Sequence, residues 1–236
     1  PRIDTTGKAD LSGWKVVASL TDETGKSVCS PFSANVTDIL GEEHPQREMV
    51  GFALMKQRIE SPRLWTAETP ELYTLTLTLT DASGLETDKK TCRIGFRDIK
   101  ISDGRLLVNG APVKLYGVNR HDHNEYTGKT VTREDMEADV KLLKQYNFNA
   151  VRTSHYPNRP EFYQMCDAVG IYVMDEADLE THGAHPCEGE YNEKQWIKFA
   201  NTLIVRLPIS ETFTLFLNIK LGYEVKPQLV ISIAIP

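Results

Sequence analysis

Ile171-Tyr172-Val173-Met174 runs directly into Asp175-Glu176-Ala177-Asp178-Leu179-Glu180-Thr181-His182-Gly183, an apolar run followed by four carboxylates and a histidine. A buried-strand pattern ending in a polar loop is how an α/β barrel presents its chemistry. Glu180 and His182 stand two apart, so in an extended segment both side chains point the same way. A carboxylate beside an imidazole suits a divalent cation, with further ligands from elsewhere in the chain. The same residues would also serve as an acidic surface loop with a solvated histidine.

Two more strand-like segments upstream end in the same manner. Tyr116-Gly117-Val118 leads into Asn119-Arg120-His121-Asp122-His123, and Asn149-Ala150-Val151-Arg152-Thr153 leads into Ser154-His155-Tyr156-Pro157-Asn158. Helical patterns separate the three strands. Thr132 caps the first, Glu134 and Asp135 favour its positive end, and Met136, Val140, Leu143 and Asn147 follow one face. Pro160 opens the second, Phe162, Tyr163, Cys166 and Val169 form its apolar stripe, and Gly170 suits the position past its end. Strand, helix, strand, helix, strand predicts a parallel sheet of βαβ units. The carboxyl ends of such strands lie on one rim, which would gather His121, His155, Glu180 and His182 at one cleft.

The residues before this repeat read differently. Trp14, Val16, Ala18 and Leu20 alternate onto one face, Tyr73-Thr74-Leu75-Thr76-Leu77-Thr78-Leu79-Thr80 alternates throughout, and Thr91 to Phe96 is a further strand. Asp22-Glu23-Thr24-Gly25 and Asp81-Ala82-Ser83-Gly84 are polar turns. Strands divided by turns, without helical periodicity, predict a β-sandwich over residues 1–100, with no cluster of titratable groups and a scaffold role. From Leu106 to Leu115, Asn109-Gly110 predicts a tight hairpin turn. The barrel part is placed at 101–206, and an apolar, β-prone tail at 207–236.

Composition narrows the function classes. The chain has 236 residues, 40% hydrophobic, and a net charge of −6 from 27 basic and 33 acidic residues, which leaves no nucleic-acid footprint. No segment is long and apolar enough to predict a membrane span. The four cysteines, Cys29, Cys92, Cys166 and Cys187, have no metal-binding spacing and read as reduced thiols, so a cytoplasmic location is expected.

Gly117-Val118-Asn119-Arg120-His121, Phe148 to Asn158 and Asp175 to Gly183 resemble β-galactosidases of glycoside hydrolase family 2. Pro62-Arg63-Leu64-Trp65-Thr66-Ala67-Glu68 and Pro70-Glu71-Leu72-Tyr73 resemble the sandwich domain that precedes the barrel there. The resemblance implies an immunoglobulin-like sandwich followed by part of a (β/α)8 TIM barrel, and hydrolysis of terminal β-galactosides such as lactose with retention of configuration. It implies that His121 and His155 bind the galactoside and that Glu180 and His182 bind Mg2+ beside the acid/base.

Retaining hydrolysis needs two carboxylates about 5–5.5 Å apart. The family's acid/base follows an Asn at the end of the fourth barrel strand, and its nucleophile ends the seventh. Asn124-Glu125 and Asn192-Glu193 lack a preceding apolar strand, and Glu224 lacks the partner Asn. No catalytic residue is therefore assigned. The span from Leu106 to Pro236 is about half of a barrel of about 250 residues. A fragment with part of the active site, inactive alone, is expected. A non-catalytic carbohydrate-binding or assembly fragment and a functionless gene product are the alternatives. An open barrel edge also predicts self-association into homo-oligomers.

Overall fold

The structure is a computed structural model that describes residues 1–4, 10–36, 50–53 and 55–176. Glu180, His182, Cys187, Asn192-Glu193, Glu224 and the apolar tail lie outside the described residues. The described residues form two compact units, one within Pro1–Trp65 and Glu71–Arg97, the other from Thr66–Pro70 and from Asp98 to Glu176.

The first unit is the β-sandwich. Strands β2 (Lys15–Thr21), β3 (Phe32–Asn35), β5 (Tyr73–Thr80) and β6 (Glu86–Ile94) make an antiparallel sheet in the order β3-β2-β5-β6. Strands β1 (Arg2–Asp4) and β4 (Val50–Phe52) pair separately, Ile3 opposite Gly51. Period-two alternation sends Val16, Ala18 and Leu20 from β2 and Tyr73, Leu75 and Leu77 from β5 into one core, which Ile3, Leu11, Val36 and Ala53 complete. Each large apolar side chain so buried contributes about 1.5–3 kcal/mol. The two polar turns repeat one device. Asp22 Oδ1 accepts from the backbone N–H groups of Thr24 and Lys26, and Asp81 Oδ1 from those of Ser83 and Leu85. These bonds hold both carboxyls below the usual range, the side-chain hydroxyls of Thr24 and Ser83 contributing most.

The second unit begins with a small antiparallel sheet, β7 (Ile99–Ser102), β8 (Arg105–Val108) and β9 (Ala111–Pro112). Asn109 and Gly110 take φ of 52° and 79° between β8 and β9, the positive angles a two-residue hairpin turn requires.

Three parallel strands follow, β10 (Gly117–Arg120), β11 (Ala150–Thr153) and β12 (Tyr172–Asp175), in that order. Helix α1 (Arg133–Gln145) connects β10 to β11, and α2 (Pro160–Val169) connects β11 to β12. Thr132 and Asp135 form a reciprocal capping box at the start of α1, worth about 1 kcal/mol. The helix ends sooner than its apolar pattern suggested. Tyr146 is its C-cap, and Asn147, expected on the buried stripe, is exposed with φ of 58°. An asparagine tolerates the left-handed region that turns the chain toward β11, which outweighed its place in the periodicity. Met136, Val140 and Leu143 of α1 and Phe162, Tyr163 and Cys166 of α2 pack with Val151, Ile171 and Val173 in a second core. Sheet and helices together form a βαβαβ unit, the arrangement expected for the start of a (β/α)8 barrel.

Candidate active site

The register of the parallel sheet sets the site. Arg120, Thr153 and Asp175 are register partners at the strand ends, and Asn119, Arg152 and Met174 align one residue earlier. Alternation sends the first set toward the helices and the second to the opposite face. A cavity of about 220 Å³ opens on that opposite face, lined by Leu115, Asn119, Arg152, Tyr172 and Met174 among others. Gly117 keeps β10 against β11, because a Cβ there would fall 2.6 Å from the carbonyl oxygen of Ala150.

Arg152 reaches across the strand ends. Its Nε donates to Glu176 Oε1 at 2.6 Å, and its Nη1 to Asn119 Oδ1 at 3.3 Å. His155 Nδ1 lies 3.0 Å from Glu176 Oε2. An ionised carboxylate only accepts, so Nδ1 carries the hydrogen, and Nε2 of the neutral ring is the acceptor. That assignment leaves the 3.4 Å approach of Arg152 Nη2 to Nδ1 as proximity between two donors. The rings of His121 and His155 meet edge to face with centroids 5.5 Å apart, and the Tyr156 ring is 6.3 Å from that of His121. His121 is exposed, and the His155 side chain is 43% exposed. Two imidazoles, a guanidinium and a carboxylate therefore share one accessible rim.

Beneath the rim lies a buried polar layer. Arg120 Nη1 donates to Asp122 Oδ1 at 2.5 Å and Asn158 Oδ1 at 2.7 Å, while its Nε donates to Asp139 Oδ2 at 2.9 Å. Tyr163 donates its hydroxyl to Asp175 at 2.5 Å and accepts from the Asn158 backbone N–H at 2.7 Å. Burial pushes the Tyr163 phenol far up, and Asp175 raises it further. Burial also raises the Asp175 carboxyl, against hydrogen bonds from Tyr163 and Thr153 that favour its charged form. Burial likewise lifts the Cys166 thiol, which makes it an inert core group.

The structure brings His121 and His155 together at the rim, while Glu180 and His182 lie outside the described residues. Among the described residues no three His, Cys, Asp or Glu side chains gather closely enough to hold a metal ion, so these residues alone do not make a magnesium site. Asn119 and Arg152 carried no role in the reading of the residues. Arg152 had a signal in alternation, a charged residue directly after the core residue Val151 within a strand.

A family model described as "Glycosyl hydrolases family 2" matches residues 3–97, and one described as "Glycosyl hydrolases family 2, TIM barrel domain" matches residues 99–205. The chain belongs to glycoside hydrolase family 2. Among curated relatives, a β-galactosidase from Vibrio vulnificus strain YJ016 is 49% identical over 138 residues, which cover 58% of this chain and 13% of that protein. A β-galactosidase from Psychromonas ingrahamii is 42% identical over 172 residues, covering 73% of this chain and 16% of that protein. Among solved structures, a β-glucuronidase from Ruminococcus gnavus in complex with D-glucuronic acid aligns at TM-score 0.56 with 28% identity, over 69% of this chain and 25% of that one. The Bifidobacterium dentium β-glucuronidase complexed with coumarin-3-O-glucuronide aligns at TM-score 0.58 with 27% identity, over 70% of this chain and 25% of that one. The chain thus spans less than a fifth of the length of these two β-galactosidases. Both parts of the chain, sandwich and opening barrel, carry the signature of this glycosidase family.

Proposed function

We propose that this chain is a segment of a β-galactosidase and carries the galactoside-recognising rim of a retaining glycosidase site. The observation that supports this is the meeting of His121 and His155 at the ends of adjacent barrel strands, with His155 oriented by Glu176. Imidazoles so placed can donate to and accept from sugar hydroxyls. Such bonds favour the transition state when they strengthen as positive charge develops on the ring. Galactose is preferred to glucuronate as the sugar because the galactosidase relatives are 42–49% identical and the two aligned glucuronidases 27–28%.

The rim supplies recognition, not bond cleavage. Glu176, the carboxylate bonded to His155, is occupied by Arg152 and His155. The chain alone is accordingly proposed to bind sugar without turning it over. Glu180 and His182 are proposed as magnesium ligands on their spacing and the family resemblance, and no step of recognition runs through the ion. The chain is also proposed to self-associate along β10, which pairs only with β11 among the described residues and has Val118 within it 38% exposed and Tyr116 just before it 60% exposed.

Calorimetric titration with galactose, and separately with glucuronate, tests the reading. Galactose binding that disappears in His155→Ala supports it. Preference for glucuronate would move the assignment to a glucuronidase, and binding of neither sugar would remove the recognition role. Static light scattering at tens of micromolar tests self-association, against which a monodisperse monomer would count.

A further inference from the structure

We propose that Arg120 is a positioning residue that sets the relative orientation of His121 and His155. Its galactose readout rests on the function proposed above. Arg120 ends β10 and is 7% exposed. Its guanidinium lies over the Phe162 ring of α2 at 4.2 Å from the centroid, and its Nε is held by Asp139 of α1. From that anchored position its Nη1 takes one acceptor on each histidine-bearing loop. Asp122 adjoins His121, and Asn158 lies three residues beyond His155. The Arg120 carbonyl also accepts from the Ser154 backbone N–H, the residue before His155, at 2.9 Å. One planar cation therefore ties two loops to two helices, while the rings they carry stand out toward solvent.

The energetics favour orientation over stability as its role. Burying a guanidinium costs desolvation that paired carboxylates only partly offset. Among the described residues, Arg120 Nη2 and Asn158 Nδ2 have no partner. Its geometry depends on a fork. Nε and Nη1 point to different elements while the plane stacks on an aromatic ring, and a lysine ammonium cannot reproduce that arrangement.

The test uses the full chain with ¹³C-labelled histidine and two readouts, the cross-relaxation peak between the His121 and His155 rings and galactose affinity by calorimetry. The unaltered chain is expected to show the peak, given rings 5.5 Å apart. Arg120→Lys is expected to lose it while retaining its far-ultraviolet dichroism, with galactose binding weakened about tenfold, the equivalent of one charge-assisted hydrogen bond. Because Arg120→Lys risks misfolding, Asn158→Ala serves as the second variant. It keeps the Asp122, Asp139 and Phe162 contacts and the Asn158 backbone bond to Tyr163, and removes only the side-chain tie to the His155 loop. Loss of the peak in Asn158→Ala and its return in Asn158→Asp, which keeps the acceptor, would support the proposal. A folded Arg120→Lys or Asn158→Ala chain with an unchanged peak would overturn it. If the unaltered chain binds no galactose, the functional reading falls and the ring peak decides the role of Arg120 by itself.

Discussion

Nδ1 of His155 stands 3.0 Å from Oε2 of Glu176, while the other oxygen of that carboxylate takes the Nε of Arg152 at 2.6 Å. The two residues sit on loops after neighbouring strands, so the pair spans the gap between β11 and β12. A single carboxylate thus fixes the tautomer of one imidazole and the direction of one guanidinium.

Glu176→Gln separates these duties. The amide offers one acceptor oxygen, so either Arg152 or His155 loses its partner, and the amide N–H faces a donor. Galactose affinity is expected to fall about ten- to a hundredfold, since a hydrogen bond to a charged group contributes about 1.5–3 kcal/mol. Far-ultraviolet dichroism should not change, because Glu176 lies beyond the end of β12. Unaltered affinity would mean that His155 takes its orientation from elsewhere.

Asp175 predicts a pH dependence of stability. Burial raises its folded-state pKa above the unfolded value, so the folded chain binds the proton more tightly. The stabilisation linked to that proton is complete below the unfolded pKa and is lost as pH rises through the folded one. Asp175→Asn removes this loss and keeps an oxygen to accept from Tyr163 and Thr153. The stability difference between Asp175→Asn and the unaltered chain should therefore shift in favour of the variant as pH is raised from about 4 toward 7. Chemical denaturation at both pH values measures it, and a constant or reversed difference would show that the hydrogen bonds outweigh burial.

Gly170 closes α2 with φ of 78°, and a Cβ there would stand 2.2 Å from the Ala67 carbonyl oxygen. Gly170→Ala should cost at least about 2 kcal/mol, from left-handed strain together with overpacking. A lowered denaturant midpoint would register this. A midpoint equal to that of the parent would mean that the Thr66–Pro70 segment yields.

The same glycine shows what the sequence made legible. Its place after a helical stripe announced a helix end, but its contact with Ala67, about a hundred residues earlier, has no local signature. The sheet was readable because Val151 and Val173 repeat one role at βαβ spacing, and caps such as Thr132 mark their own helices. The rim histidines were readable as polar residues after apolar strands. Arg120 was not, because its partners Asp122, Asp139 and Asn158 converge only through the packing of α1 and α2 on the sheet. Asn147 misled, since its step in the pattern fits a helix while its backbone suits a left-handed turn.

Magnesium affinity should be weak. The ion favours near-octahedral, oxygen-rich coordination, and Glu180 with His182 supplies one carboxylate and one nitrogen. Calorimetry should detect no tight binding. Submicromolar affinity that is lost in Glu180→Gln would mean that a further carboxylate completes the site.

The purified chain should release no nitrophenol from a nitrophenyl β-galactoside. An oxocarbenium-like transition state needs an acid at the leaving oxygen and a carboxylate on the opposite face of the sugar. His121 and His155 can hold hydroxyls, but neither supplies the glycosyl ester of a retaining mechanism. Glu176 is the carboxylate that bonds His155, and its oxygens are taken by Arg152 and His155. Detaching it for nucleophilic attack would take this counter-charge from Arg152 and the acceptor from His155 Nδ1. Catalytic groups acting as a unit lose most of their effect together, so a site without the carboxylate pair should lie near the uncatalysed rate. Turnover that vanishes in Glu176→Gln would overturn this and make Glu176 catalytic. Turnover that survives Glu176→Gln and vanishes in Glu224→Gln would place the missing carboxylate beyond the described residues.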